Sequence, residues 1–362
     1  MAADTNLLSP GVLTVDLDAL AANYRALREA AAQSTCGAVV KANAYGLGAA
    51  PVARRLWDEG CRHYFVATAR EGAELRTVLA EARIFVFEGV LEGSAGSVLD
   101  AELIPILNSI EQAGRWRRVG AARPAAIHID TGMSRLGLNE AEVREVGHAG
   151  SLRELKLRYA LTHLACADVP THPLNARQVR DFARLTTLLP DVRTSIGGSA
   201  GILLGPEFRG DLVRPGIALY GGSPFASGDS PMEPVVTLEG IVLQTTTVRR
   251  QQTVGYGATH TVRSGARLAT VGAGYADGYP RALGNRGVAF AAGTQIPVVG
   301  RISMDTITLD VSGVAPADLR PGDTVELLGR NVLLDDLARA AGTIGYDILT
   351  GLGPRWQRRY IP

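Results

Sequence analysis

The stretch Gly37–Ala50, GAVVKANAYGLGAA, decides how the first half of the chain is read. Val39 and Val40 are β-branched and close a short apolar run. Lys41 follows at once, and then a loop of small residues: Ala42, Asn43, Ala44, Tyr45, Gly46 and Gly48. That order reads as a buried strand stopping at a loop. A lysine where a strand enters its turn lies at the end of the sheet where α/β proteins bind ligands. Taken alone, it more often marks a plain solvent anchor.

Outward from there the same unit recurs. Apolar runs stand at 63–69 (HYFVATA), 83–89 (RIFVFEG), 102–109 (ELIPILNS), 125–132 (AAIHIDTG), 157–164 (LRYALTHL), 192–199 (VRTSIGGS) and 211–222 (DLVRPGIALYGG). With the first, these make eight strand candidates. Stretches rich in Ala, Leu, Arg and Glu lie between most of them, and one precedes the first. LDALAANYRALREAAA (17–32) and ARQVRDFARLTTLL (176–189) carry helical patterns. Strands alternating with helices imply parallel pairing and right-handed crossovers. Eight such units suit a (β/α)8 TIM-like barrel. A doubly wound open sheet is the alternative, weakened because no GxGxxG opens a helix after the first strand.

At SPFASGDSPMEP (223–234) the texture changes to a Ser/Pro/Gly-rich connection. Beyond it VVTLEGIVLQTTTV, ARLATVGAG, QIPVVGRIS, TITLDV and DTVELLG read as strands, with one late helical pattern, LLDDLARAAG. The expected fold is therefore α/β: a barrel over residues 11–228, then a mostly β domain over 229–362. Residues 1–10 are a candidate part of the latter.

The chain has 362 residues, 46% of them hydrophobic and 20% charged, with net charge +1. It can bury ordinary cores, and it shows no electrostatic footprint for nucleic acid or an anionic membrane. No run approaches a membrane span, and no basic-then-apolar leader stands at the start. Cys36, Cys61 and Cys166 are few, odd in number and without metal spacing. A reduced, cytoplasmic protein with no disulfide framework and no metal is expected.

In a barrel the working groups sit at the C-terminal strand ends. These ends carry Lys41 and Tyr45; Asp130, Thr131, Gly132 and Arg135; His163; Gly197, Gly198, Ser199, Ala200 and Gly201; and Arg214, Gly216, Ile217 and Tyr220. Small residues and a serine after strand 7 let amides and a hydroxyl approach an anion, at the usual phosphate position of such barrels. GGSAG also reads as a mere tight turn. A phosphate site and a strand-end lysine in one mouth suggest pyridoxal phosphate, whose aldehyde condenses with a lysine amine.

Seven motifs in order, VVKANAYGLG, IDTGMSRLG, LTHLACAD, VRPGIALYG, VGYG, GYADGYPR and VGRISMD, resemble the alanine racemase family over almost the whole chain. The resemblance implies a pyridoxal 5'-phosphate isomerase interconverting L- and D-alanine for cell-wall synthesis. It also implies a homodimer whose active sites combine one subunit's barrel with the other's β domain. Lys41 then matches the cofactor lysine and Tyr45 a phosphate contact. Arg135 matches the arginine that orients cofactor and substrate, and His163 a member of the polar network under the ring. Ser199, Gly216 and Ile217 match the phosphate loop, and Arg214 the arginine at the pyridine nitrogen. In the second domain Tyr256 matches the second catalytic base, and Tyr275, Met304 and Asp305 match substrate-side positions. Without the resemblance, Tyr256 and Tyr275 would read as rim or core residues, Met304 as filler, His163 as a structural histidine and Asp130 as a loop cap.

Racemisation takes the α-proton from one face and returns one to the other, so two bases on opposite faces are the simpler geometry. Lys41 and Tyr256 are those bases by resemblance. Lysine and tyrosine both titrate near 10 in water, so the site has to lower them. Three departures from the family pattern stand out. His128 occupies a position that is a carbamylated lysine in many members, and a histidine cannot carry that group. Pro354 stands where some members have tyrosine, and TIGYD replaces an Asn-Tyr-Glu run. A related racemase preferring serine or another amino acid is the chemical alternative. A non-catalytic pyridoxal phosphate carrier is the alternative of another class, opposed by the β domain. A decarboxylase of this fold would need second-domain cysteine or acidic machinery, and all three cysteines precede residue 167.

Overall fold

The computed structural model describes residues 9–150, 152–228 and 230–362. They form two compact units: residues 20–219 with 223–231, and residues up to 19 with 220–222 and 232–362.

The first unit is the expected barrel. Its opening strand runs as two pieces, Thr35–Cys36 and Ala38–Val39. His63–Val66, Arg83–Val86, Ile104–Leu107, Pro124–His128, Lys156–Leu161, Arg193–Ser195 and Leu212–Val213 follow. Ala38–Val39 through Arg193–Ser195 make one parallel sheet in chain order, and Leu212–Val213 pairs parallel with Thr35–Cys36. On its other edge, Asp211 N donates to Thr194 O and Arg214 N to Gly197 O, each at 2.8 Å, which closes the ring. All eight candidate runs supply a strand. The last is only two residues long, because Pro215 ends the extended backbone and a 3-10 turn follows at Ile217–Tyr220.

Rings from neighbouring strands and from across the barrel meet inside it. Phe65 stacks on Phe85 at 4.8 Å between centroids, Phe85 meets Tyr159 edge-on at 5.7 Å, and Phe65 stacks on Phe87 at 5.6 Å. The interior is thus a packed aromatic plug rather than a pore. Three of the helices outside begin at side-chain caps: Thr68 with Glu71, Ser109, and Asn139 with Glu142.

The second unit is built on Val236–Thr247, a long strand with a bulge between Val242 and Gln244. It pairs antiparallel with Arg267–Val271, Thr324–Leu328 and Gly11–Asp16. Gly11–Asp16, which the sequence pattern places with the barrel, belongs to this sheet, where it also pairs parallel with Gln357–Ile361. Gly11 is required there, since a Cβ would collide with the Glu239 carbonyl across the ladder. Val248, Val254, Val262 and Val299 form a small core beside the sheet. Among the described residues no helix is long and apolar enough to cross a membrane.

Candidate active site

Lys41 sits directly after the first strand, and the turn behind it is left-handed. Ala42, Asn43, Ala44 and Tyr45 have φ of 52°, 54°, 53° and 56°. Ala44 N donates to Val40 O at 2.9 Å and Gly46 N to Ala42 O at 2.8 Å, so the segment is one turn of left-handed helix. Each L-residue held this way costs about 1–2 kcal/mol. The turn is tied from outside. Glu71, in the helix cap after the second strand, accepts Ala42 N at 2.8 Å with one carboxylate oxygen and Ala67 N at 2.7 Å with the other. The Asn43 side chain accepts Ala49 N at 2.8 Å. Small side chains at 42 and 44 suit the crowding of a left-handed turn. Removing the tie should show: Glu71→Ala is expected to lower stability by about 1–3 kcal/mol in urea unfolding, because two strand-end amides lose their acceptor. An unchanged midpoint would mean that the turn holds itself.

The Lys41 ammonium lies 5.6 Å from the centre of the Phe87 ring. Burial and the nearby Arg135 charge hold its pKa below the ordinary lysine value, while Glu71 pulls the other way.

The last two strand ends meet around Ser199, which is buried. Its hydroxyl accepts Gly216 N at 2.9 Å and Ala218 N at 3.3 Å. A Cβ on Gly216 would collide with the Tyr45 hydroxyl, so the phenol and the Gly216–Ala218 backbone share one close cradle. Tyr45, Ser199, Gly216 and Ile217 are therefore brought together, as the strand-end pattern expects.

Arg214 is 5% exposed. It donates to the Ser195 hydroxyl at 2.5 Å and to the carbonyls of Thr162 at 2.7 Å and Ile196 at 3.2 Å. It reaches His163 Nδ1 at 3.5 Å. With no carboxylate in this shell, burial brings its pKa down to about 10. The floor under His163 extends sideways: Thr131 and Thr162 hydroxyls meet at 2.8 Å, and Gln178 donates to Thr131 Oγ1 at 3.1 Å and to His163 O at 2.9 Å. Asp130 does cap its loop, accepting the amides of Gly132, Met133 and Ser134 at 2.9, 2.9 and 3.1 Å. Arg135 follows on that loop, exposed.

In the second unit, the 301–305 turn gathers the other candidates. Gly255 and Gly257, either side of Tyr256, lie against Arg301. Tyr275 N donates to Ser303 O at 3.1 Å and Ala276 N to Met304 O at 2.9 Å. Tyr256, Tyr275 and Met304 are 71%, 43% and 53% exposed. The Asp305 carboxylate is held by Arg355 at 2.7 Å.

Three residues not singled out as site members matter to this geometry: Glu71, Asn108 and Arg355. The capping pattern Thr68-x-x-Glu71 was a readable signal for the first; the others depend on long-range register. A separate cavity of about 980 Å³, lined in part by Arg83, Trp116, Arg158 and Arg193, opens at the N-terminal end of the barrel and holds none of the candidates.

Three histidines in the barrel are held neutral. Burial, reinforced by neighbouring arginines, brings His63 and His128 down to about 4 and His163 to about 3, from 6.5. In that range the folded state binds fewer protons than the unfolded chain. Their contribution is therefore full above pH 6.5 and is lost as pH falls toward 4. The melting temperature is expected to drop through this window at constant ionic strength; a flat profile from pH 6.5 to 4 would contradict the assignment.

Residues 15–224 match the family model described as alanine racemase, N-terminal domain, and residues 235–360 the one described as alanine racemase, C-terminal domain. An alanine racemase of Rhodospirillum rubrum is 49% identical over 356 residues, spanning 96% of this chain and 95% of that protein. A catabolic alanine racemase of Agrobacterium fabrum is 46% identical over 357 residues, spanning 97% and 92%. The crystal structure of alanine racemase from Bartonella henselae with covalently bound pyridoxal phosphate aligns with TM-score 0.93 and 38% identity, covering 98% of this chain and 100% of that one.

Proposed function

The chain belongs to the alanine racemase family, and on that premise we propose that it interconverts L-alanine and D-alanine with pyridoxal 5'-phosphate as cofactor. It is an amino-acid isomerase. The observation that carries the cofactor reading is the barrel mouth itself. It combines a strand-end amine of lowered pKa, an amide-and-hydroxyl cradle at Ser199 and Gly216, and a buried arginine with no carboxylate in its shell. These residues fit the group. Lys41 would hold its aldehyde carbon. Tyr45, Ser199, Gly216 and Ile217 would hold its phosphate. Arg214, steadied by His163, would face its ring nitrogen. The cofactor, when bound, supplies an electron sink for the α-carbon.

The chain's own groups do the rest. Lys41 takes or returns the α-proton on one face, with burial and Arg135 lowering its pKa toward working pH. Arg135 orients the substrate. Arg214, still charged at neutral pH and a donor only, would leave the ring nitrogen without a proton, which would weaken the electron sink and restrain side reactions. The partner subunit's Tyr256 serves the opposite face, and Tyr275, Met304 and Asp305 line the substrate side. The exposure of Tyr256, Tyr275 and Met304 on adjoining turns supports the homodimer, since large apolar groups clustered in the open mark a binding surface.

We assign the product to cell-wall synthesis in the cytoplasm. The catabolic name of the Agrobacterium relative favours consumption of D-alanine as a second reading. A deletion strain that requires D-alanine for growth supports supply; one that merely fails to grow on alanine supports consumption.

The direct test is a chiral assay on purified protein. The expected result is a yellow band near ~420 nm, from cofactor carried on lysine, with kcat/KM for L-alanine above that for L-serine. A colourless protein that takes up no pyridoxal phosphate would end the cofactor reading, and a serine preference would reassign the substrate.

A further inference from the structure

We propose that the Phe87 ring is the seat of the protonated Lys41 side chain, favouring the ammonium form between the moment the lysine takes a proton and the moment it returns one. Phe87 directly follows the third barrel strand, Arg83–Val86, at the mouth. The Lys41 ammonium stands over its ring, 5.6 Å from the centre, within the range of a cation–π contact. Among the described residues that ammonium has no hydrogen-bond acceptor and no carboxylate in ion-pair reach. Both oxygens of Glu71 are turned to backbone amides, Ala42 N and Ala67 N.

The ring is held in place. Phe87 N donates to Val66 O at 2.9 Å, which carries the strand ladder one residue further. The ring stacks on Phe65 with 22° between the planes. Phe87 O accepts from the Asn108 carboxamide at 2.8 Å, and Glu88 O accepts from Gln112 Nε2 at 3.0 Å. Asn108 is 6% exposed and fully engaged: it also donates to Ile106 O at 2.9 Å, and its oxygen meets His128 Nδ1 at 2.9 Å. Phe87 is thus fixed through its amide, its carbonyl and its ring.

Burial and the Arg135 charge disfavour the ammonium, and Glu71 opposes them. His163, which feels the lysine's charge, is held neutral. A carboxylate in contact with Lys41 would strongly favour the ammonium and leave little free amine near neutral pH. A ring face favours the ammonium by a smaller amount, and it cannot itself take the proton. That intermediate strength suits a group that is amine in one half of the exchange and ammonium in the other. The effect on turnover rests on the racemase reading; the contact does not.

Lys41 and Lys156 are the only lysines in the chain, so lysine labelled with ¹³C at Cε gives one signal for each. Lys156, exposed at the start of its strand, is the reference. The Lys41 signal, assigned by its loss in Lys41→Arg, is titrated at constant ionic strength in the full chain freed of cofactor with hydroxylamine. Phe87→Leu should lower its midpoint by about 0.5–1 pH unit, about 3- to 10-fold in the acid constant, with Lys156 unmoved. A trifluorinated phenylalanine placed at the same position keeps the ring's shape but cancels the negative charge of its face, and should shift the midpoint the same way. A Lys41 midpoint that stays or rises in either variant overturns the proposal, whether or not the protein racemises alanine. Should the leucine variant fail to fold, the fluorinated ring decides alone. Turnover gives a second readout in the direction that uses Lys41 as base. The acid limb of kcat should move to lower pH by the same amount in Phe87→Leu, while the basic limb, set by Tyr256, stays. An acid limb that does not move, or two limbs that move together, overturns the proposed role in the exchange.

Discussion

Lys41→Ala is expected to lose racemisation by at least about 10⁴-fold. On the proposed reading one side chain both holds the cofactor and exchanges the α-proton, so a single deletion removes two functions at once. The variant should lack the ~420 nm band while folding normally, because Lys41 makes no hydrogen bond that supports the barrel wall: the turn behind it is tied by Glu71 and Asn43 through other residues. Adding a small primary amine should return part of the activity, in proportion to the free-base fraction. Retained racemisation near the parent rate would remove Lys41 from the reaction. Loss of activity with loss of fold would leave the band and the amine rescue to be judged in Lys41→Arg, which keeps the charge but forms no stable bond to the aldehyde.

Tyr256→Phe should reduce racemisation by roughly 10²–10⁴-fold, the usual worth of one positioned proton donor. Its signature lies in exchange rather than in rate. In deuterium oxide, a site left with one base can still wash label into the enantiomer whose α-proton points to that base, without inverting it. The expected outcome is deuterium entering one enantiomer much faster than racemisation proceeds. Equal label in both enantiomers at the racemisation rate would mean that a single group serves both faces. Tyr256 is 71% exposed and sits between two glycines of positive φ, so removing its hydroxyl should leave stability untouched. Mixing Tyr256→Phe with Lys41→Ala subunits would probe the dimer: shared sites predict that one of the two mixed sites regains both bases and a measurable fraction of activity.

The barrel was legible because parallel strands, covered on both faces, leave continuous apolar runs such as HYFV and RIFV. The candidate site could be sought for the same reason, since strand ends announce where the mouth lies. Gly11–Asp16 escaped because its partners are Val236–Thr247 and Gln357–Ile361, far along the chain. Gln357–Ile361 escaped because QRRYI is polar and largely exposed, with no buried face to pattern it. The left-handed turn at Ala42–Tyr45 left no mark, since alanine gives no hint of positive φ where glycine would. The link from Asn108 to His128 requires the register of two strands, and Arg355 meets Asp277 and Asp305 only through tertiary folding. Local chemistry fixes which groups are present; long-range pairing fixes which of them touch.

The parallel ladder between Gly11–Asp16 and Gln357–Ile361 has a consequence for how the molecule is made. Every residue of the barrel leaves the ribosome before the 357–361 segment is synthesised, and the barrel's pairings mostly join neighbours in sequence. The β unit must instead keep an early strand waiting, with an open hydrogen-bonding edge, until its late partner emerges. Biogenesis should thus be sequential, with an exposed amino-terminal edge as the step most open to chaperone capture.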